Sequence, residues 1–479
     1  MSGRRRALAL ILVGVAGAGA VAACGGRGGD ATASGKRDDA GVPRDGATVH
    51  VDISDRPLGM PDLASFAWRK RGGQPAFRVA RKHEDKDRWD DVITTTKQAL
   101  AADPAHLEAS WLLAAGLAKQ GKLDDVLAPL QLAVAGDFGK WATPSLEHPF
   151  LKAWLATPTG EAWKRRLDQD RTAYTGALAR GLVVASGGDL YAFDVDGGRW
   201  HRLTRTQGAV LGALRVPGAA LVPYVARVRR GGGVAVGVID LAKGKALRPI
   251  DVGGAATIVA STAKASAGLW VQTKGQWRSL DEDGRLGPAV AKMSRPPGPR
   301  LEVAGRTVRL VAGALPDVAA DWDEAGLASA IRIGKSNRVI TVSRTPAVAA
   351  LIDGNTAAWS PDRGHLAFAA QLDEHCEAGA INAAAFVADA ATGTVRELER
   401  AAGGLTVEWV ADRRIAVAGD RGVHLIDLAT GTATALEGAE NLAVPRHRPR
   451  CKPVEGPDEL PPEDPDAAEP GAGSGNLAP

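Results

Sequence analysis

Four short stretches decide the fold of this chain: Asp194-Val-Asp-Gly-Gly198, Asp240-Leu-Ala-Lys-Gly244, Asp389-Ala-Ala-Thr-Gly393 and Asp427-Leu-Ala-Thr-Gly431. Each consists of an Asp, three residues and a Gly, and each Asp ends a short apolar run. An Asp at a strand end accepts hydrogen bonds from nearby backbone N–H groups, and a Gly with positive φ lets the next strand turn back. The stretches therefore predict β-hairpins within a β-rich segment, residues 172–445.

The spacing of these turns indicates a repeated unit. Neighbouring copies, Asp194 with Asp240 and Asp389 with Asp427, are separated by roughly the length of a four-stranded β-propeller blade. Two weaker turn candidates, 281–284 and 334–337, fall between them. The count predicts six blades, with seven as the alternative number and a β-sandwich as the alternative architecture. Because a closed propeller buries its own core, residues 172–451 are expected to fold alone as one β-rich unit.

Two Trp-containing stretches support the propeller. Trp359-Ser-Pro-Asp362 and Trp409-Val-Ala-Asp412 each precede a short apolar run. They resemble repeats of Tol-type and WD40-like propellers, in which the Trp packs at the inner strand of a blade and the Asp holds a turn. The resemblance implies structural roles for these two Trp and two Asp residues, and it is thin from 255 to 345.

A helical pattern precedes the β-rich segment, from 75 to 170. Asp90-Asp91-Val92 recurs as Asp124-Asp125-Val126, and Asp103 recurs at the same offset as Asp137. This offset in helical sequence resembles the period of tetratricopeptide (TPR) repeats. The resemblance implies a short TPR-like α-helical domain, and an unrelated helical hairpin is the alternative. The predicted fold class is thus multidomain, α followed by all-β.

The N-terminus has the composition of an export signal. Three Arg at 4–6 precede an apolar run that ends at Val21-Ala-Ala-Cys24 and is too short to span a membrane. This end resembles the lipobox of bacterial lipoproteins, which implies cleavage of a signal peptide, residues 1–23, and acylation of Cys24. An ordinary cleaved signal peptide is the alternative. Residues 24–48 are rich in Gly, Asp and Ser and predict a flexible tether.

The C-terminal residues, 453–479, contain seven acidic residues and many Pro but no Lys or Arg. This composition predicts a disordered acidic tail. If Cys24 is lipidated, Cys376 and Cys451 are the remaining pair in an oxidising envelope compartment, so a disulfide between them is expected. A zinc site that includes nearby His residues is the alternative for these two cysteines.

The sequence favours binding over catalysis. It contains no G-x-S-x-G, H-E-x-x-H, P-loop or C-x-x-C motif, so no catalytic residue, metal site or cofactor is predicted. The formal charge of +4 is spread along 479 residues, which argues against a nucleic-acid partner. We expect a lipid-anchored scaffold for an envelope protein or peptide, with the outer membrane preferred because Gly25 follows Cys24. An enzyme with its site in the propeller channel, a lyase or an oxidoreductase, is the alternative, and a ligand sensor is another.

Overall fold

The computed structural model describes residue 53 and, with gaps, residues 55–440. The gaps are 215–219, 229–232, 248, 261–268, 282, 291–299, 305–306, 312–317, 323–327, 334–337, 341–347, 352–356, 363, 373–381, 390–391, 393, 403–404, 412 and 420. Only the backbone is described at 260, 370–372, 382 and 401–402 and for the strands from 300 to 359. All described residues belong to one compact unit that begins at His50.

The N-terminal part of this unit is helical, and consecutive helices from α1 to α4 contact each other. In α2, buried Val92, Ile93, Thr96 and Ala99 follow the helical period, so one face of the helix packs inward. The helices are α1 (Gln74–Glu84), α2 (Trp89–Ala102), α3 (Leu107–Lys119), α4 (Leu127–Gly136), α5 (Phe138–Glu147), α6 (Lys152–Leu155) and α7 (Pro158–Arg180).

The helical part ends later than the sequence predicts. Helix α7 begins after Thr157, whose hydroxyl accepts a hydrogen bond from the Gly160 amide, and it continues to Arg180. Buried Tyr174 and Leu178 extend the apolar face that Leu167 starts, so the pattern stays helical beyond 172. The change from helix to strand therefore lies at 180–182.

Twenty-five strands follow, and within the described chain they pair into six antiparallel sheets. Sheet 1 contains β1 (Leu182–Ser186), β2 (Asp189–Asp194) and β3 (Arg199–Arg202), and sheet 2 contains β4 (Val210–Ala213), β5 (Leu221–Arg227), β6 (Val234–Asp240), β7 (Lys245–Ala246) and β8 (Ile250–Gly253). Sheet 3 contains β9 (Ala255–Ala260), β10 (Leu269–Thr273), β11 (Gln276–Leu280), β12 (Arg300–Ala304) and β13 (Thr307–Val311).

The remaining three sheets follow in chain order. Sheet 4 contains β14 (Val318–Trp322), β15 (Ala328–Ile333) and β16 (Arg338–Ile340), and sheet 5 contains β17 (Val348–Leu351), β18 (Ala357–Trp359), β19 (His365–Leu372), β20 (Asn382–Asp389) and β21 (Val395–Ala402). Sheet 6 contains β22 (Thr406–Ala411), β23 (Arg414–Gly419), β24 (Gly422–Asp427) and β25 (Ala433–Ala435). Sheet 6 has the sequential four-strand order expected of one unit, whereas in sheet 3 β9 pairs with both β10 and β12.

The two ends of the β region meet at sheet 1. Glu440, which follows the last strand, exchanges backbone hydrogen bonds of 2.7 and 3.3 Å with Ala185 on β1. On the other edge, Met60 exchanges backbone hydrogen bonds of 2.7 and 2.9 Å with Trp200 on β3. Segments from before the helices and after sheet 6 therefore both extend sheet 1.

The buried clusters connect neighbouring sheets. Sheets 2 and 3 share a core around Val236 and Ile258, and sheets 5 and 6 share one around Ala369 and Val417. Sheet 6 in turn shares a core with sheet 1, through residues such as Val423 and Leu182. The largest cluster joins the helices to sheets 1 and 2. Its members include Trp154, Trp163, Leu167, Leu178, Leu190, Tyr224 and Leu241, all buried.

Candidate functional site

The Asp residues of the repeated turn stand at hairpins, and Asp427 has the fullest set of bonds. Its Oδ1 accepts hydrogen bonds from the amides of Ala429 and Thr430 at 2.8 and 3.1 Å. Gly431 has a φ of +73° and donates its amide to the Asp427 carbonyl at 2.8 Å. These amides stabilise the carboxylate and lower the pKa of Asp427. The carboxylate is therefore a structural acceptor in the turn.

The other three turn Asp residues have the same arrangement. In each, the carboxylate accepts an amide two or three residues ahead, and the next strand pairs back antiparallel. The bonds are Asp194 with the Asp196 amide at 3.3 Å, Asp240 with the Lys243 amide at 3.0 Å and Asp389 with the Thr392 amide at 2.8 Å. Their carboxylates accept hydrogen bonds within the turns. Each hairpin needs such an acceptor, so the recurrence of Asp at these positions requires no catalytic role.

The Trp-Ser-Pro-Asp stretch forms a turn before β19. The Ser360 hydroxyl donates to Asp362 Oδ1 at 2.5 Å and accepts the His365 amide at 2.9 Å. The hydroxyl of Ser360, buried in this turn, lowers the pKa of Asp362. His365 Nε2 lies 3.7 Å from Asp389 Oδ2. Since Ser360 bonds to the backbone of His365 and to Asp362, these residues hold the turn together.

Of the two Trp residues in these stretches, the side chain is described for Trp409 only. Trp409 is buried on β22 and belongs to the core shared by sheets 5 and 6. The backbone of Trp359 lies on β18, but its side chain falls outside the described residues, as does Asp412. Also outside the described residues are Cys24, Cys376 and Cys451, the tether and the acidic tail.

The described residues contain neither a cluster of metal ligands nor a membrane-spanning helix. Among these residues, no three His, Cys, Asp or Glu side chains are close enough together to hold a metal ion. None of the described helices is both long enough and apolar enough to cross a membrane. The described part of the chain thus offers neither feature as a guide to function.

The helices present a continuous row of aromatic rings, which we call the aromatic row. Trp141 and Trp111 stack in parallel with centroids 4.4 Å apart, and the Trp111 ring meets His148 edge-on at 5.7 Å. Phe150 continues the row, 4.9 Å from His148 and 5.1 Å from Trp89. The row thus runs from α5 across α3 to the start of α2.

Lysines cover two rings of the aromatic row. Lys140 Nζ lies 4.1 Å from the centroid of Trp141, and Lys119 Nζ lies 4.6 Å from that of Phe150. Lys140 is also paired with Glu108 on α3. Cations over aromatic faces are attracted by the ring quadrupole. Lys119 therefore adds positive charge beside the rings, whereas Glu108 balances the charge of Lys140.

The exposure of the aromatic row differs along its length. Trp111, His148 and Phe150 are half-buried, whereas Trp89 and Trp141 are buried. Burial lowers the pKa of His148, so the neutral imidazole contributes an aromatic surface. Three adjacent half-exposed rings with lysines at either side can bind an extended peptide, because aromatic and cationic groups are typical of peptide and protein interfaces. The several Trp of the helical segment are a sequence signal for an aromatic surface, but only the fold brings the rings together.

A buried polar junction connects the helices to sheet 1. Arg205, which follows β3, pairs with Asp137 at the start of α5. Next to them, the rings of Tyr174 and His201 meet edge-on at 5.4 Å. Burial lowers the pKa of His201 to about 4 and raises the pKa of Tyr174. We call these four residues the junction, and both of its rings are neutral at pH 7.

The Asp residues that end helices in the repeated segment share a role. Asp103 follows α2 and accepts two hydrogen bonds from Arg71, at 2.7 and 2.8 Å. Asp137, its counterpart in the second copy of the repeat, follows α4 and pairs with Arg205. Both carboxylates are buried. The repeat therefore places one charge-paired Asp at the end of each helical hairpin.

Comparison with known proteins gives no family for this chain. No family model matches it, and no curated protein matches it. Solved structures that match in part include the tricorn protease, at 12% identity and a TM-score of 0.30 over 53% of this chain and 33% of that chain. The chain thus spans about a third of the length of the tricorn protease chain.

Two further partial matches are of the same quality. A putative 6-phosphogluconolactonase from Bacteroides uniformis matches at 12% identity and a TM-score of 0.30, over 55% of this chain and 97% of that chain. A puromycin-hydrolyzing peptidase from Mycobacterium tuberculosis matches at 13% identity and a TM-score of 0.30, over 55% and 54% of the two chains. Likeness at this level carries no functional argument, so the class of protein rests on its helical part and its series of small antiparallel sheets.

Proposed function

We propose that this is a lipid-anchored cell-envelope protein that binds a peptide or protein segment on the aromatic row. The observation that carries the proposal is the row itself, with half-exposed Trp111, His148 and Phe150 between Lys119 and Lys140. Helical repeats commonly present such surfaces to peptides. In this proposal the helices are TPR-like, since the hairpins α1–α2 and α3–α4 follow the repeat period of the sequence.

The β region in this proposal is a six-bladed propeller that supports the helices. Two observations favour a closed ring. Six antiparallel sheets occur in chain order within the described residues, and the backbone of Glu440 returns to β1 of sheet 1. Pairing of the last segment with the first sheet is a means by which a ring of sheets can close. The five-stranded sheet 3 is a local departure from the four-stranded unit.

The proposed location follows from the N-terminal sequence. The run that ends at Cys24 suits lipid attachment, and Gly25 favours the outer membrane over the inner one. The oxidising conditions of the envelope favour a disulfide between Cys376 and Cys451. The tether, residues 24–48, would let the folded unit search for partners while it stays at the membrane.

The anchor is tested by a Cys24→Ser substitution. We expect the variant either to accumulate as uncleaved precursor or to leave the detergent phase, because several acyl chains hold a protein firmly and their loss removes the anchor. The measurement is detergent phase partitioning with mass determination of the mature chain. A fully processed Cys24→Ser protein that still partitions with the detergent would contradict the anchor.

The binding surface is tested by photo-crosslinking in cells. We expect a photoreactive phenylalanine derivative at position 111 to give a discrete adduct with one envelope partner, because the Trp111 ring is half-exposed on the aromatic row. The matched control places the same group at Val290, an exposed apolar position in the β region that is 38% accessible. Loss of the adduct in a Phe150→Ala background would support the row. Equal adducts from positions 111 and 290 would count against it.

A further inference from the structure

The first helix has a basic outer face. Helix α1 buries Phe77 and Ala80 and exposes Arg78, Arg81 and Lys82. At about 100° per residue, Arg78 and Lys82 lie on the side of the helix away from the buried pair, whereas Arg81 lies about 40° from Phe77. The outer side of α1 therefore carries positive charge at Arg78 and Lys82.

Much of the positive charge around α1 has no partner of opposite sign. Arg81 pairs with Glu84 and Arg88 pairs with Asp91. Five other basic residues form no ion pair with any described residue, namely Arg69, Lys70, Arg78, Lys82 and Lys86. We call these five residues the basic face; Arg78 and Lys82 lie on α1, Arg69 and Lys70 precede it, and Lys86 follows it. Two exposed acidic residues, Asp85 and Asp87, lie at its C-terminal end.

An apolar side chain lies within this charged surface. Val79 is 42% exposed, next to Arg78 in sequence and on the outward half of α1. The half-buried Trp68 ring adds a second apolar surface, and the Arg69 guanidinium lies 5.0 Å from its centroid in a cation–π contact. A ligand for this surface should thus carry negative charges with a few apolar groups between them.

The C-terminal tail of the same chain has this composition. Residues 453–479 hold seven acidic side chains, no Lys or Arg, and Val454 and Leu460 among several Pro. The whole chain has 59 basic and 55 acidic residues, so 48 acidic residues remain when the tail is excluded. The rest of the chain therefore carries a formal charge of +11, which the tail partly neutralises.

The tail is long enough to reach α1. The chain continues from Glu440, the last described residue, to Pro479. A flexible chain of about 39 residues has a root-mean-square span of about 35 Å. The expected radius of gyration of a compact body of about 390 residues is about 21 Å. The span of the tail is thus comparable to the dimensions of the folded body, which is enough to reach α1.

We propose that the acidic tail, residues 453–479, docks on the basic face of α1 within the same chain. Carboxylates of the tail pair with the five unpaired Arg and Lys side chains, and Val454 or Leu460 covers Val79. The tail is preferred to an anionic lipid surface because a tethered segment has a local concentration of about millimolar, whatever the orientation of the protein. Docking would shield α1 until a more acidic partner displaces the tail.

Zero-length crosslinking tests the docking directly. A carbodiimide applied to the full mature chain should join Lys70, Lys82 or Lys86 to acidic residues of the tail, and peptide mapping identifies the link. We expect the yield to fall about fivefold in 1 M salt, where the screening length is about 3 Å. The double variant Arg78→Glu/Lys82→Glu should reduce links to Lys70 and Lys86 to a similar extent, since it reverses the local charge.

A matched variant controls for total charge. Lys152→Glu/Arg165→Glu makes the same change in net charge at exposed positions on α6 and α7. We expect it to leave the α1–tail links unchanged. Links from the tail to lysines all over the surface, or an equal loss in both double variants, would overturn the proposal.

Vesicles distinguish the tail from a lipid surface. A chain that ends at Lys452 should bind phosphatidylglycerol vesicles at least about threefold more tightly than the full chain, because the tail competes for the basic face. This gain should be smaller in the Arg78→Glu/Lys82→Glu background than in the Lys152→Glu/Arg165→Glu background, which has the same net charge. Equal binding by the two chains, abolished in both by Arg78→Glu/Lys82→Glu, would assign the surface to lipid and overturn docking of the tail. Both chains begin at Gly25, so neither the signal peptide nor acylation contributes to the binding.

Discussion

Residues 172–451, expressed without the preceding helices, are expected to aggregate or to stay without fixed tertiary structure. The reason is the shared cluster, in which Leu167 and the neighbouring helical side chains are buried together with Leu190 and Leu241 of the first two sheets. Exposure of each large apolar side chain costs about 1.5–3 kcal/mol. A few such losses exceed the roughly 5–15 kcal/mol that stabilises a typical domain.

Near-ultraviolet circular dichroism and thermal unfolding measure this effect. The matched control is the chain from 50 to 451, which keeps the helices and the Met60 pairing with sheet 1 and lacks residues 1–49 and 452–479. We expect cooperative unfolding in this control and none in the shorter fragment. A fragment from 172 to 451 that unfolds cooperatively with the melting temperature of the control would show that the β region does not depend on the helices.

The sequence alone predicts the opposite result, since a propeller closes on itself and buries its own core. The prediction treats the helical and β segments as separate domains because each has its own apolar pattern, a helical period in the first and short runs broken by Gly and Asp in the second. Periodicity identifies the buried face of an element but does not identify what covers it. The buried faces of Tyr174 and Leu178 on α7 pack against the β region, and nothing in their spacing indicates that partner.

Local turn chemistry is what the sequence predicts well. The positions of Asp427 and Gly431 follow from bonds made within the turn itself, so the hairpin can be derived from those residues alone. The aromatic row depends on the approach of residues far apart, such as Trp89 and Phe150, and the junction brings together Asp137 and Arg205. Such contacts exist only after the helices pack, which is why sequence periodicity does not reveal them.

The junction predicts a pH dependence of stability that can be assigned to one residue. His201 is only 3% exposed, and burial lowers its pKa to about 4 although Asp194 and Asp137 act in the opposite direction. In the unfolded chain its pKa is about 6.5. Between these values the unfolded state binds more protons than the folded state, so the free energy of unfolding falls as the pH falls from about 6.5 to about 4.

The expected size of this loss is about 3 kcal/mol, from a pKa difference of about two and a half units at about 1.36 kcal/mol each. Denaturant unfolding at pH 7 and pH 4 measures it, and the loss should be about 3 kcal/mol smaller in His201→Asn than in the wild type. Tyr174→Phe is the matched control, because it keeps a ring against His201 and removes a hydroxyl that does not ionise in this range. An equal loss in His201→Asn and in the wild type would mean that His201 is protonated in the folded protein as readily as in the unfolded chain.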